Sequence, residues 1–230
     1  YNPVSPIEAG CKYKVAMVVQ ELGVIPSLSG AANIFIGKTA QFARGGIVNL
    51  KAMEHAAAEI MRKWGLGDIP LNIPAGSLSI EQRKMIELAR ALTNDPELLI
   101  LDEITQALSH DTKQIIYKLK DRFQKENRSI LIITHDLEET ISICDTVTIL
   151  RDGEVVDTVR ASDIDVDQLK QKMIGRKVEG DYYRIDHSPN YGNSVVLEAR
   201  NLGSADGRIS DISFDLHSGE ILGVCGLSDG

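Results

Sequence analysis

Apolar residues along the chain fall into two rhythms, short unbroken runs and helical stripes, and the two alternate. Residues 14–19, 97–101 and 129–134 are apolar runs with little polar alternation. Such runs predict buried strands of a parallel sheet covered on both faces. Between them, residues 49–64 set Met53, Ala57, Ile60, Met61 and Trp64 on one helical face. Residues 27–37 also carry helical spacing, and residues 111–125 are amphipathic. Ser79 opens a helix that runs to Leu92, where Asn94-Asp95-Pro96 stops it. Residues 1–10 read as a loop, and 65–74 as a connection punctuated by Gly and Pro.

Beyond a short helix at 137–143, the segments 146–151 and 154–159 flank Asp152-Gly153, the signature of a hairpin turn. A helix is expected at 164–174, and 176–194 is polar and without period, as a linker is. A new set of strands follows at 195–200, 209–216 and 220–224, the last running into Gly226-Leu-Ser-Asp-Gly230. The alternation predicts an α/β fold with a mostly parallel sheet.

Composition narrows the function. The chain has 230 residues and a formal charge of 25 − 33 = −8. An acidic balance disfavours a nucleic-acid partner, which wants a basic face. Cys11, Cys144 and Cys225 are far apart and odd in number, as reduced cytosolic thiols would be. No apolar stretch reaches the length of a membrane span, so any membrane role is expected to be peripheral.

Candidate chemistry gathers at strand ends. The run 98–101 leads into Asp102-Glu103, a pair suited to holding Mg²⁺ and orienting an attacking water. The run 130–134 leads into His135, which can hydrogen-bond a phosphate or that water, and 14–19 leads into Gln20. In open α/β sheets ligands collect at these carboxyl ends. Ser79 with Gln82 is a capping box, which needs no function, yet the same capped helix start can face a phosphate. A solvated strand end is the plain alternative for Asp102-Glu103, and a satisfied structural residue the plain alternative for His135.

These residues resemble the ATP-binding cassette (ABC) ATPases, and more narrowly the tandem-cassette ATPases of ribose-, galactose- or xylose-type sugar importers. Gln20 is similar to the Q-loop residue, Leu78-Ser79-Ile80-Glu81-Gln82 to the signature motif and 98–103 to Walker B. Residues 105–109 resemble the D-loop, His135 the switch histidine, and 18–26 and 32–37 the importer subfamily. The resemblance implies an incomplete P-loop NTPase-like cassette over 1–175, with a helical subdomain at about 21–94. It implies a linker at 176–194 and the front of a second cassette at 195–230, cut inside its Walker A loop. It implies ATP and Mg²⁺ as cofactors, with Asp102 and Gln20 as metal ligands and Glu103 and His135 as catalytic groups. Gln20, Ser79, Ile80, Glu81, Gln82, Gly226 and Gly230 would contact nucleotide. The implied partners are transmembrane permease subunits reached through the segment after Gln20, the second cassette of the same polypeptide, and indirectly a periplasmic-type sugar-binding protein. The implied location is peripheral, at the cytoplasmic face of the cell membrane.

The chain departs from that pattern in places. No Gly-x-x-x-x-Gly-Lys-[Ser/Thr] occurs in it, so this piece is expected to bind ATP weakly and not turn it over. Ser-Ile-Glu-Gln stands for Ser-Gly-Gly-Gln, which puts a charge near the phosphate approach; Ile104 stands for a Pro, and Ser109 for the D-loop Asp. Residues 220–224 are expected to supply a strand beside 98–101. Two other functions remain open: a soluble ABC-type ATPase of translation or DNA repair, and a catalytically silent interaction module.

Overall fold

A computed structural model of the chain describes residues 3–175, 191–204 and 209–225. It divides into two compact units, Tyr1–Arg176 and Lys177–Gly230. The first opens with helix α1 (Pro6–Lys12), strand β1 (Val15–Val18) and the short helix α2 (Gly30–Ile34). A two-stranded ribbon of β2 (Ala43–Arg44) and β3 (Ile47–Val48) precedes helices α3 (Leu50–Trp64) and α4 (Ile80–Leu92). There follow β4 (Leu98–Asp102), α5 (His110–Lys125), β5 (Ser129–Ile133) and α6 (Leu137–Ile143). The hairpin β6 (Thr146–Arg151) and β7 (Glu154–Arg160) and helix α7 (Val166–Ile174) complete this unit. The second unit holds an antiparallel pair, β8 (Val195–Leu202) and β9 (Ile212–His217).

Strands β1, β4 and β5 form a parallel sheet with β4 in the centre. Ala16 pairs with Leu99 and Leu99 with Ile130; Val18 pairs with Leu101 and Leu101 with Ile132. These residues share one face, which packs into the main core with Met85, Leu88, Ile116 and Phe123. The opposite face is open, with Met17 48%, Leu131 50% and Ile133 45% exposed. This corrects the expectation of a sheet covered on both faces.

Other expectations also change. Residues 6–12 are helical rather than loop because Ser5 caps the Glu8 amide and Pro6 sits at the first helical position. Of 27–37 only Gly30–Ile34 is α-helical. Asn33, fully buried, donates to the carbonyls of Ile25, Leu28 and Ser29 and accepts from the Ile25 amide, which fixes a loop ahead of the helix. Residues 220–224 are not a strand, and β4 is already paired along both edges. The strand expected to join 98–101 therefore has no place there. Most of the expected linker, 176–190, lies outside the described residues.

Local chemistry explains the helices that carry the site. At α4 the Ser79 hydroxyl accepts from the Gln82 amide and the Gln82 side chain accepts from the Ser79 amide, both at 3.1 Å. Two of the donors a helix start leaves unpaired are thereby satisfied. Helix α3 ends at Gly65, whose φ of 65° lets the Leu66 amide turn back to the Met61 carbonyl at 3.0 Å. Trp64 then packs on Phe123 of α5, with the Arg122 guanidinium 4.1 Å from its ring centre. Each fully buried Leu, Ile or Phe contributes roughly 1.5–3 kcal/mol, and Leu88, Leu99, Leu101, Ile116 and Phe123 are all buried in this core.

Candidate functional site

The carboxyl ends of the three parallel strands bring side chains from distant parts of the chain together. Glu103 is the first residue beyond β4. Its amide donates to the Ile133 carbonyl at 2.8 Å, which continues the ladder one step past the strand. Its φ is then 49°, a left-handed conformation that a residue with a Cβ rarely takes. Strain of this kind is kept where the surroundings hold it, commonly at functional sites.

The Glu103 carboxylate meets two side chains from the neighbouring strand ends. The Gln20 side-chain amide, just beyond β1, donates to Oε2. His135, just beyond β5, lies with Nδ1 2.9 Å from Oε1. With the proton on Nδ1, the imidazole donates to Glu103, and the Gln106 side-chain nitrogen lies against both ring nitrogens, 2.8 Å from Nδ1 and 3.1 Å from Nε2. His135 is mostly exposed and Glu103 half-buried, so the cluster faces an accessible surface. Gln20 uses its nitrogen on Glu103, and among the described residues its amide oxygen has no partner, so it can accept from a water or bind a cation.

Asp102 ends β4 on the open sheet face, in register with Ile133. Among the described residues its carboxylate has no hydrogen-bond or ion-pair partner. No group of three or more His, Cys, Asp or Glu among those residues could hold a metal on its own. The donors suit Mg²⁺ instead, which keeps several waters and takes one or two carboxylates beside substrate phosphates.

The motif 79–82 lies at the start of α4. Ile80 is exposed, and Ser79 and Gln82 are occupied with each other in the cap. Glu81 turns to Ser109, the cap of α5, and accepts from its amide at 2.9 Å and its hydroxyl at 2.7 Å. Burial pushes the Glu81 carboxyl up, but hydrogen bonds from Ser109 and Thr112 outweigh it and hold the carboxyl below its ordinary range. The negative charge expected at the phosphate approach is thus committed to the turn after Glu103. Gly226 and Gly230 lie outside the described residues.

Three residues join the cluster without having been singled out in the sequence. Gln106 orients His135. Glu139 of α6 is buried and accepts from the Thr105 hydroxyl at 2.6 Å and the Tyr117 hydroxyl at 3.0 Å. It ties the turn after Glu103 to the helix after His135. Lys84 of α4 reaches the carbonyl of Gln20 at 2.9 Å. Only Gln106 had a sequence signal, its place three residues past Glu103. A separate cavity of about 840 Å³ lies beside β5, lined by Phe123, Ile130, Val147, Ile149 and Leu169 and apart from Gln20, Glu103 and His135.

Comparison with known proteins follows this geometry. Residues 6–106 match the family model described as ABC transporter. The chain is 36% identical over 216 residues to the ribose import ATP-binding protein RbsA of Bacillus subtilis (strain 168), covering 94% of this chain and 43% of that protein. It is 36% identical over 215 residues to RbsA of Corynebacterium glutamicum, covering 94% and 40%. The chain therefore spans less than half the length of these relatives. Among solved structures, the dimeric ATP-binding cassette MJ0796 bound to ADP and Pi is 26% identical, with a TM-score of 0.54 over 64% of this chain and 63% of that one. Another dimeric structure of MJ0796, a bacterial ABC transporter cassette, aligns at 24% identity and a TM-score of 0.56 over 67% and 66%.

Proposed function

The chain carries the α/β fold of the ABC transporter ATPase domain, and from that premise we propose that it is part of the ATP-hydrolysing subunit of a sugar importer, with ribose or a similar monosaccharide as solute. The observation that carries the proposal is the meeting of Gln20, Glu103 and His135 from three strand ends. Support for the sugar comes from the ribose import proteins to which 94% of the chain is similar.

In this reading Asp102 and the Gln20 amide oxygen would hold Mg²⁺, which would supply charge neutralisation to the triphosphate. Glu103 takes the proton of the attacking water. Its two donors fix its oxygens in place, so little reorganisation is needed at the moment of transfer. His135 stands beside Glu103 on the side of the terminal phosphate, and Gln106 sets the orientation of its ring. Ser79 and its neighbours at the start of α4 clamp a nucleotide held mainly by a facing cassette. The segment after Gln20 passes the state of the site to permease subunits. No helix among the described residues is long and apolar enough to cross a membrane; the proposed place is peripheral, at the cytoplasmic face.

Uptake of labelled ribose, with galactose and xylose as competitors, tests the reading in cells that produce the chain within its importer. Glu103→Gln is expected to abolish accumulation while leaving the protein's abundance unchanged. Undiminished accumulation would remove this chain from the energising role.

A further inference from the structure

Helix α4 buries two charged side chains, Lys84 at 3% and Glu87 at 2% exposure, where an amphipathic helix would carry apolar ones. Lys84 Nζ donates to Glu87 Oε2 at 3.0 Å and lies among three main-chain carbonyls, of Val19 at 2.8 Å, Gln20 at 2.9 Å and Glu21 at 3.3 Å. The other Glu87 oxygen accepts from the Gly23 amide. Arg90, one turn on, donates to the Gly23 carbonyl at 2.8 Å. The approach is close: a Cβ on Gly23 would stand 3.1 Å from Arg90 Nη2 and 3.2 Å from Glu87 Oε1. Three charged groups of one helix thus grip the backbone on both sides of Gln20's exit from the sheet. Well-packed apolar residues hold a helix as firmly as a buried ion pair does, so stability alone does not account for the arrangement.

We infer that Lys84 and Glu87 are positioning residues for Gln20, clamping residues 19–23 to α4 and so setting where the Gln20 amide meets Glu103. The same helix begins at Ser79, so a shift of its start is carried to Gln20. The inference rests on the proposed ATPase reading for what Gln20 does there, while the clamp itself can be tested without nucleotide.

The test is nuclear magnetic resonance on the 230-residue chain and its Lys84→Met and Glu87→Gln variants. The Gln20 side-chain amide signal is identified by its loss in Gln20→Ala. In Lys84→Met it is expected to move to the position it takes in Glu103→Gln, where its acceptor is altered. Exchange of the Gly23 amide is expected to quicken at least about tenfold in Glu87→Gln, whose single side-chain oxygen can serve Lys84 or the Gly23 amide but not both. A merely structural role would lower the melting temperature and leave the Gln20 signal where it was. An unmoved signal in folded Lys84→Met overturns the inference and leaves the ATPase reading intact. If Lys84→Met does not fold because Glu87 is left as a lone buried charge, Lys84→Met with Glu87→Met removes both charges and is read by the same signal.

Discussion

Glu103 shows how single residues are held against their preferences at this site. Its left-handed backbone costs roughly 1–3 kcal/mol in general, and the bond from its amide to Ile133 together with the donors Gln20 and His135 keeps it there. The sequence exposes these three residues because each follows an apolar run directly. It conceals Lys84 and Glu139, whose ties to Val19 and Thr105 span 65 and 34 residues, since a buried charge has no local signature and periodicity alone would set both positions as apolar or exposed. Glu139 also marks a titration. Burial first, and then the hydrogen bond to Glu139, push the Tyr117 phenol from the ordinary 10.0 up to about 12. The folded state thus favours the neutral phenol, and the stability this contributes is complete below pH 10 and lost as pH rises toward 12. Alkaline spectrophotometric titration is expected to show one delayed tyrosine that disappears in Tyr117→Phe. A Tyr117 that ionises near the ordinary 10.0 would break the link from α6 to the turn after Glu103.

At the scale of elements, strong periodicity and strong caps were readable, and elements defined by distant partners were not. Helices α3, α4 and α5 lie within one or two residues of their expected bounds because stripe and cap agree. Helix α1 buries none of its residues, so it has no stripe, although Ser5-Pro6-Ile7-Glu8 carried a start signal. Residues 220–224 have a strand's composition, but an apolar run becomes a strand only where a neighbour offers its edge. The open sheet face could not be read either, because the pattern reports which residues are apolar and not what covers them. The capping box of α4 carries a prediction that separates its two roles. Ser79→Ala is expected to cost about 1 kcal/mol of stability by chemical denaturation with no nucleotide present. A change below measurement would mean that Ser79 is not needed as a cap and serves contacts outside the helix.

Across the whole molecule, the first unit gathers a polar cluster around Glu103 at the ends of a parallel sheet and surrounds it with buried polar ties. Lys84 joins the loop of Gln20 to α4, Glu81 joins α4 to the turn after Glu103, and Glu139 joins that turn to α6. Residues far apart in sequence are thereby fixed around one carboxylate, as positioning-dominated phosphoryl transfer requires. The chain covers 40–44% of the ribose import proteins it resembles. The most direct measurement is Mg-ATP turnover, beside nucleotide affinity, of the proposed importer ATPase assembled with this chain carrying Glu103→Gln. Loss of a catalytic base predicts retained ATP affinity with turnover reduced roughly 10²–10⁴-fold. Turnover equal to that of the unaltered protein would contradict the assignment of Glu103, and with it the role given to Gln20 and His135 around it.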